Sequence, residues 1–378
     1  VRRHERVQLS SRTDSQFFLA SLPTFSTMPG AFRCVMPSPE PKQQHYIPET
    51  YSKRFSDEKG LVTVYDMREN CRIFRTTPKN VFKENYLYSQ PVHAESRFDN
   101  AIERLFSDGI ENNWTDVAES IAQKRPLSKL QVEQFFEFFL SMRCRVPNAL
   151  QSVVRLLRQS VTKYSAEISE PVPEMLAKIY REKLQGLSPD LISMEDIINA
   201  GMVKVDVDPH TAILSMPYIV QGMLPVMGRV NAPSFLHNKT DIDFISSDNP
   251  VCYFRAGSKI DDIVPYDVKY TDEFELIFPI TPRIAFYIDS RRPQTDLHTN
   301  TANETTVTRI NEVISLFAER YIFSSGDDNI ALAKSYSNRC PVPNFEKSIV
   351  GDGLVRHVGY EIGEPSALNN AWEYPFRR

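Results

Sequence analysis

The sequence lacks the loops that usually carry nucleotides and the side-chain pairs that usually carry hydrolytic zinc. It contains no GxxxxGK[ST], no GxGxxG following a strand, no GxSxG elbow and no HExxH, which removes the common carriers of P-loop, dinucleotide, serine-hydrolase and zinc-protease chemistry. Glycine is scarce, 13 in 378 residues, so few loops can wrap their backbone around a phosphate. Cysteine is scarcer. Cys34, Cys71, Cys144, Cys252 and Cys340 are odd in number, far apart and without a CxxC pair, the usage of a reducing compartment rather than of a disulfide framework or thiolate zinc site. No run of about 18 apolar residues is present to form a membrane span. Charge of one sign is missing too: 44 basic against 48 acidic residues leave a formal charge of -4, so any attraction to nucleic acid or anionic lipid has to be local. A cytoplasmic protein that does not engage membranes is the expectation.

The opening "VRRHERVQLSSRTDSQFFLASLPTFSTMPGAFRCV" has a basic start and a short apolar patch, like a poor signal peptide. Pro23 interrupts the patch, and Met36 offers a second start just before the patterned region. Residues 1–38 are therefore expected to be a disordered or mis-assigned leader, with organised chain from 39 onward.

From "GLVTVYDM" to "CRIFRTTPKNVF", apolar and polar residues alternate on both sides of "MREN", which predicts a β-hairpin. The period then becomes helical. Phe98, Ile102, Leu105 and Phe106 share one face, Trp114, Val117 and Ile121 another, and Ser128 stands where it can cap the apolar "KLQVEQFFEFFLSMRCRV". Pro147 breaks that helix before "NALQSVVRLLRQSVTKY" continues as another, with shorter helices around 174–185 and 194–200 and a longer one after Asp208. Beyond Met227 strands return in "GRVNAPSFLHNKTDIDFISSDNPVCYF" and "FELIFPITPRIAFYID". One strong helix follows, "NETTVTRINEVISLFAERYIFSS", capped from Asn303 or Asn300 and presenting Val307, Ile310, Val313, Ile314, Phe317 and Tyr321.

Strands, helices, strands and a helix predict an α+β class: an antiparallel sheet built from the N-terminal hairpin and the later strands, packed with a central helical bundle. A single domain over 39–326, with its helical middle at about 91–226, would then be followed by a weakly structured extension from 327 to 378. A common sheet would also bring "HYIPETY" near "SSDNP".

The stretch "HYIPETYSKRFSDEKGLVTVYDMRENCRIFRTTPKNVFKENYLYS" resembles the opening of a mainly bacterial family catalogued as domain of unknown function 4238. "FISSDNPV", "FPITPRIAF" and "INEVISLFAERYIFSS" match its later landmarks in order, so the resemblance covers about residues 43 to 326. Glu49, Thr50 and Ser52 depart from the residues usual at those positions. The resemblance implies a shared fold and leaves the activity open.

Candidate functional residues come from polar types at constrained places. His45 can exchange a proton near neutral pH or bind a metal, and Pro48 stiffens the turn beside it. It fits equally a histidine bonded to a carbonyl at a sheet edge. Asp248 and Asn249 follow a strand and precede Pro250. There an aspartate can orient an imidazole or ligate a divalent cation, and there too Asp-Asn-Pro is ordinary turn chemistry. Glu103 could supply a carboxylate. Arg143 and Arg145 could clamp an anion or simply complement a helix C-terminus. Arg54 and Tyr46 belong to a basic, aromatic neighbourhood with Lys53, Tyr51, Tyr65, Arg72, Arg75 and Lys79 that could stack a base and hold phosphates.

Two functions fit. One is a hydrolase of a phosphodiester in nucleic acid or a nucleotide, with His45 and Asp248 catalytic, Tyr46, Arg54, Asn249, Arg143 and Glu103 binding ligand, and a divalent cation allowed as cofactor. The other is a binding module without chemistry, recognising a ligand or a protein.

Overall fold

The computed structural model describes residues 43–68, 71–85, 87–91, 98–168, 178, 209–227, 233–268, 272–293, 297–350 and 353–364. The expected leader, Arg97, Asp208 and, Lys178 apart, the short helices read at 174–185 and 194–200 lie outside the described residues.

In chain order, β1 (Gln43–His45) leads into the one-turn helix α1 (Glu49–Ser52), and the expected hairpin follows as β2 (Val62–Asp66) and β3 (Arg72–Thr76). Short strands β4 (Lys83–Asn85), β5 (Gln90–Pro91) and β6 (Phe98–Asp99) precede α2 (Ala101–Arg104), which widens into a π-helix over Leu105–Glu111 before α3 (Asn112–Ala122). Next come α4 (Lys129–Arg145), α5 (Pro147–Ile168) and α6 (Pro209–Met227). Strands β7 (Pro233–Asn238), β8 (Ser246–Ser247), β9 (Cys252–Arg255), β10 (Phe274–Thr281), β11 (Ile284–Asp289) and β12 (His298–Ala302) lead to α7 (Glu304–Phe317) and β13 (Tyr321–Ser324). The described chain closes with α8 (Ile330–Tyr336), β14 (Cys340–Val350) and β15 (Gly353–Gly363).

The class is α+β. The hairpin does join later strands, in a four-stranded sheet ordered β3-β2-β13-β8, but the remaining late strands form a second sheet ordered β12-β7-β11-β10-β9. The second sheet includes one parallel pair, β12 with β7. The chain passes from the first sheet to the second through Asp248, Asn249 and Pro250, between β8 and β9. A proline cannot donate to a strand ladder, and the side chains of Asp248 and Asn249 bond the distant end of α7 and Tyr266, so this is a corner where pairing stops.

Local signals position the helices. Ser128 and Gln131 form a reciprocal capping box at the start of α4, and Asn303 accepts from the Thr306 amide at the start of α7, each leaving one fewer orphan N–H at a helix end. Pro147 begins α5 rather than kinking α4, as suits a residue with no N–H to give. The apolar side of α4 lies on the second sheet: Trp114 of α3 stacks on Phe138 at 3.9 Å between centroids, and Phe135 meets Phe286 of β11 at 4.8 Å.

Three features depart from the sequence pattern. The π-helix spends an extra residue per turn and turns Leu105 outward while Ile102 and Phe106 stay buried. The long helix expected from Asn303 stops at Phe317, and Tyr321 lies in β13 instead. Of the segment from 327, expected to be weakly structured, the described residues include α8 and an antiparallel hairpin whose Tyr360 is buried in a core with Tyr266. Among the described residues no helix is long and apolar enough to cross a membrane.

Candidate functional site

Asp248, Asn249 and Arg143 fall in one cluster and His45 and Arg145 in another, both tied to α4, while Arg54 is engaged elsewhere.

Asp248 belongs to the first. Its carboxylate is buried, 3% exposed, and accepts the backbone N–H groups of Glu319, Arg320 and Tyr321 at 2.9, 2.9 and 3.0 Å. These three amides form the turn that ends α7, so the carboxylate replaces the carbonyls that a longer helix would have offered them. That exchange is why helix-favouring residues 318–320 do not continue the helix. Glu319 is equally buried, and both its carboxylate oxygens accept from the Asn148 amide at 3.0 and 3.2 Å. Arg68 donates to the Glu319 carbonyl at 3.1 Å. Burial pushes both acids above the usual carboxylate range, and the charge of Asp248 pushes Glu319 further. Asn249 is also fully engaged: its amide donates to the Phe317 carbonyl at 3.0 Å and accepts from the Tyr266 hydroxyl at 2.9 Å. Arg143 lies over the Tyr266 ring, 3.8 Å from its centroid, with Nη2 3.5 Å from the Tyr360 hydroxyl.

His45 belongs to the second cluster and makes no hydrogen bond to Asp248. Its Nε2 bonds the Lys79 carbonyl at 3.2 Å. A carbonyl can only accept, so Nε2 carries the proton and the neutral ring keeps its lone pair on Nδ1. Burial lowers the pKa, the Lys79 bond and the charges of Glu49 and Glu111 oppose, and Lys83 adds to the lowering. The main chain of His45 is held from two elements. Its carbonyl accepts from Arg145 Nη2 at 2.5 Å and from the Tyr88 hydroxyl at 3.4 Å. The preceding Gln44, fully buried, bonds Ser89, Asn100 and the Tyr88 amide.

Arg145 ends α4 and is 1% exposed. Besides the His45 carbonyl it bonds Glu111 and, through Nε, the Tyr88 hydroxyl at 3.0 Å, with its guanidinium 4.7 Å from the Phe106 ring centroid. Glu103, two residues before the π-helix, feels this group through the charges of Arg145 and Glu111. Its Oε2 is buried with no hydrogen-bond partner. Burial, aided by Glu111 and Asp108 and opposed by Arg145, pushes its carboxyl up to about 7. The Glu103 carboxyl, raised toward neutrality, and the His45 imidazole, whose pKa burial lowers, both lie under the field of Glu111.

"HYIPETY" does reach "SSDNP", but through its tyrosines. The Tyr51 hydroxyl lies 2.7 Å from both Ser246 Oγ and the Pro279 carbonyl, and Asp248 acts electrostatically on Tyr46. Tyr46, Tyr51 and Tyr65 are all buried, which corrects the idea that they could stack a base. Arg54 is engaged by Glu119 and the Thr115 carbonyl at 3.4 and 3.2 Å. Among the described residues no three His, Cys, Asp or Glu side chains converge as a metal site. Burial pushes the thiols of Cys144 and Cys340 up to about 11 and about 12, so neither supplies a thiolate near neutral pH. A half-open cleft of about 330 Å³ beside Ile260, Leu316 and Ile362 shares no residue with either cluster, and its Arg339 and Asp261 bond each other at 2.9 Å.

Glu111 and Glu319 escaped the sequence reading, Glu111 as one of two acids in "FSDGIENN" and Glu319 inside the apolar "SLFAERYIF". Arg145 had a signal, a cation inside an apolar helix.

A family model described as a protein of unknown function, DUF4238, matches residues 43–328. No curated protein and no solved structure matches the chain.

Proposed function

The chain belongs to the DUF4238 family, whose description names no activity, and from the site itself we propose a hydrolase that works by general acid–base catalysis at His45 and Glu103. The observation that carries this is Glu103 Oε2, a buried carboxyl oxygen that bonds nothing in the folded chain. An unbonded buried oxygen costs stability, and a group poised near pH 7 is the costly kind that active sites keep. In turnover the Nδ1 lone pair of His45 takes a proton from the attacking water as its oxygen bonds the phosphorus, and the Glu103 carboxyl gives its proton to the leaving oxygen as the P–O bond to it breaks. Lys79, whose carbonyl holds the imidazole, and Lys83, whose charge acts on it, favour an anionic substrate, so a phosphodiester in nucleic acid or a nucleotide is the substrate class. Asp248 and Asn249 are assigned to the scaffold.

The test is hydrolysis of bis(p-nitrophenyl) phosphate and of single-stranded oligonucleotides by the wild type, Glu103→Gln and His45→Gln. Each substitution should lower kcat by about 10²- to 10⁴-fold. The pH profile should be a narrow bell. Activity falls below the lowered His45 pKa as the base becomes protonated, and falls above about 7 as Glu103 loses its proton. Wild-type rates in both variants would remove the proposal.

One observation favours the binding module instead: the Nε2 and carbonyl of His45 are both held by structural partners. A binding module predicts unchanged, negligible turnover in all three proteins and weaker retention of an anionic ligand in His45→Gln.

A further inference from the structure

We propose that Arg145 is a positioning residue which locks the backbone of His45 to the π-helix, so that the two proton-transfer groups are set by a single guanidinium. This rests on the acid–base reading above and names what holds its geometry. Arg145 is nearly inaccessible, and its three kinds of nitrogen point to three different places: the π-helix, β1 and the turn before β5. Nη1 meets Glu111 at the end of the π-helix, Nη2 meets the carbonyl of His45 in β1, and Nε meets Tyr88. The Tyr88 hydroxyl in turn donates to the same His45 carbonyl. A planar guanidinium presents its donors in one fixed fork, so these three anchors cannot shift independently, whereas an ammonium would hold only one or two of them. The rings of Phe106 and Tyr88, 4.7 and 5.1 Å from the guanidinium carbon, keep the fork from swinging.

The spacing along α4 gives the device its footing. The capping box at Ser128 fixes where the helix starts, and Pro147 ends it, so Arg145 arrives at the last turn beside β1. The neighbouring Arg143 goes to the Tyr266 and Tyr360 rings instead. Two positions apart on a helix is more than half a turn around it, so the two arginines serve different clusters.

The test uses the full chain as wild type, Arg145→Lys and Tyr88→Phe. Titration of the His45 imidazole and the Glu103 carboxyl is followed by isotope-edited NMR, alongside kinetics on bis(p-nitrophenyl) phosphate. Arg145→Lys keeps a positive charge and loses the fork. It should lower kcat by about 10²-fold with KM within about twofold, the effect of a misplaced reacting group. The Glu103 midpoint should shift from that of the wild type, because the positive charge that lowers it stays but is no longer fixed by the fork. Tyr88→Phe keeps every ring contact and should show the same pattern at about tenfold in kcat. If Arg145→Lys fails to fold, Tyr88→Phe alone decides. Wild-type titration midpoints and wild-type kcat in the folded variants would overturn the assignment. If the wild type hydrolyses no probe, the hydrolase proposal fails, while unchanged midpoints in the variants would separately end the positioning role.

Discussion

Asp248 and Glu103 are both acids with carboxylate oxygens taken out of solvent, yet one has both oxygens occupied by backbone amides and the other has an oxygen with no hydrogen-bond partner. Burial raises both pKa values. Burial therefore does not tell these two acids apart; their hydrogen bonding does. The Asp248 cluster turns its polar atoms inward to end a helix and start a strand. Around Glu103, the π-helix brings Glu111 to Arg145, which in turn holds the His45 carbonyl. A π-turn costs hydrogen-bond geometry and is kept most often where function repays it.

The comparison is sharpened most by removing Asp248. Asp248→Ala strands the buried N–H groups of Glu319 to Tyr321, and a loss of about 3–5 kcal/mol in urea unfolding is expected. A loss under about 1 kcal/mol would mean that the turn stands without it.

Glu103→Gln should act in the opposite direction at higher pH. The folded-state pKa of Glu103 lies above its unfolded value, so the folded chain holds the extra proton between about 4.5 and about 7. Stability falls as pH rises through that window, and above it the ionised, buried carboxylate is a standing penalty. Substitution by Gln should recover on the order of 1–3 kcal/mol above pH 7 and nothing in acid, measured as unfolding free energy against pH. A pH-independent effect would place Glu103 among ordinary surface acids.

Tyr51→Phe removes the hydroxyl that ties α1 to Ser246 and Pro279. It should cost about 1–2 kcal/mol in denaturant unfolding without changing the pH profile, since it touches neither acid. Smallest is Ser128→Ala, which removes one half of the capping box of α4 and should cost about 1 kcal/mol. Because α4 carries both Arg143 and Arg145, that loss should weaken both regions alike, seen as matched increases in hydrogen exchange.

The hairpin, the caps at Ser128 and Asn303, the stop at Pro147 and the corner at Pro250 were legible in the sequence because each depends on a few adjacent residues. The division into two sheets was not, since the pairing of β2 with β13 joins residues more than half the chain apart. Nor was the end of α7 at Phe317. Residues 318–320 favour helix by themselves, and only the distant Asp248 carboxylate makes a turn the better choice. The C-terminal hairpin escaped for a similar reason: its anchor, Tyr360, gains its partners Ser152, Arg143 and Tyr266 only in the folded chain. Within the candidate site His45, Glu103 and Arg145 stood out by residue type, but the sequence linked the imidazole to the wrong carboxylate. Alternation and turn chemistry say which segments approach. They do not say that Tyr46 and Tyr51, rather than His45, make the approach to the corner.

The most direct measurement compares Glu103→Gln and Asp248→Asn in one experiment, scoring phosphodiester hydrolysis and thermal unfolding for each. The predicted result is an inactive Glu103→Gln that unfolds at or above the wild-type temperature and an Asp248→Asn that unfolds well below it, with whatever remains folded still turning over. A stable, inactive Asp248→Asn beside a fully active Glu103→Gln would contradict it and move the chemistry to the corner.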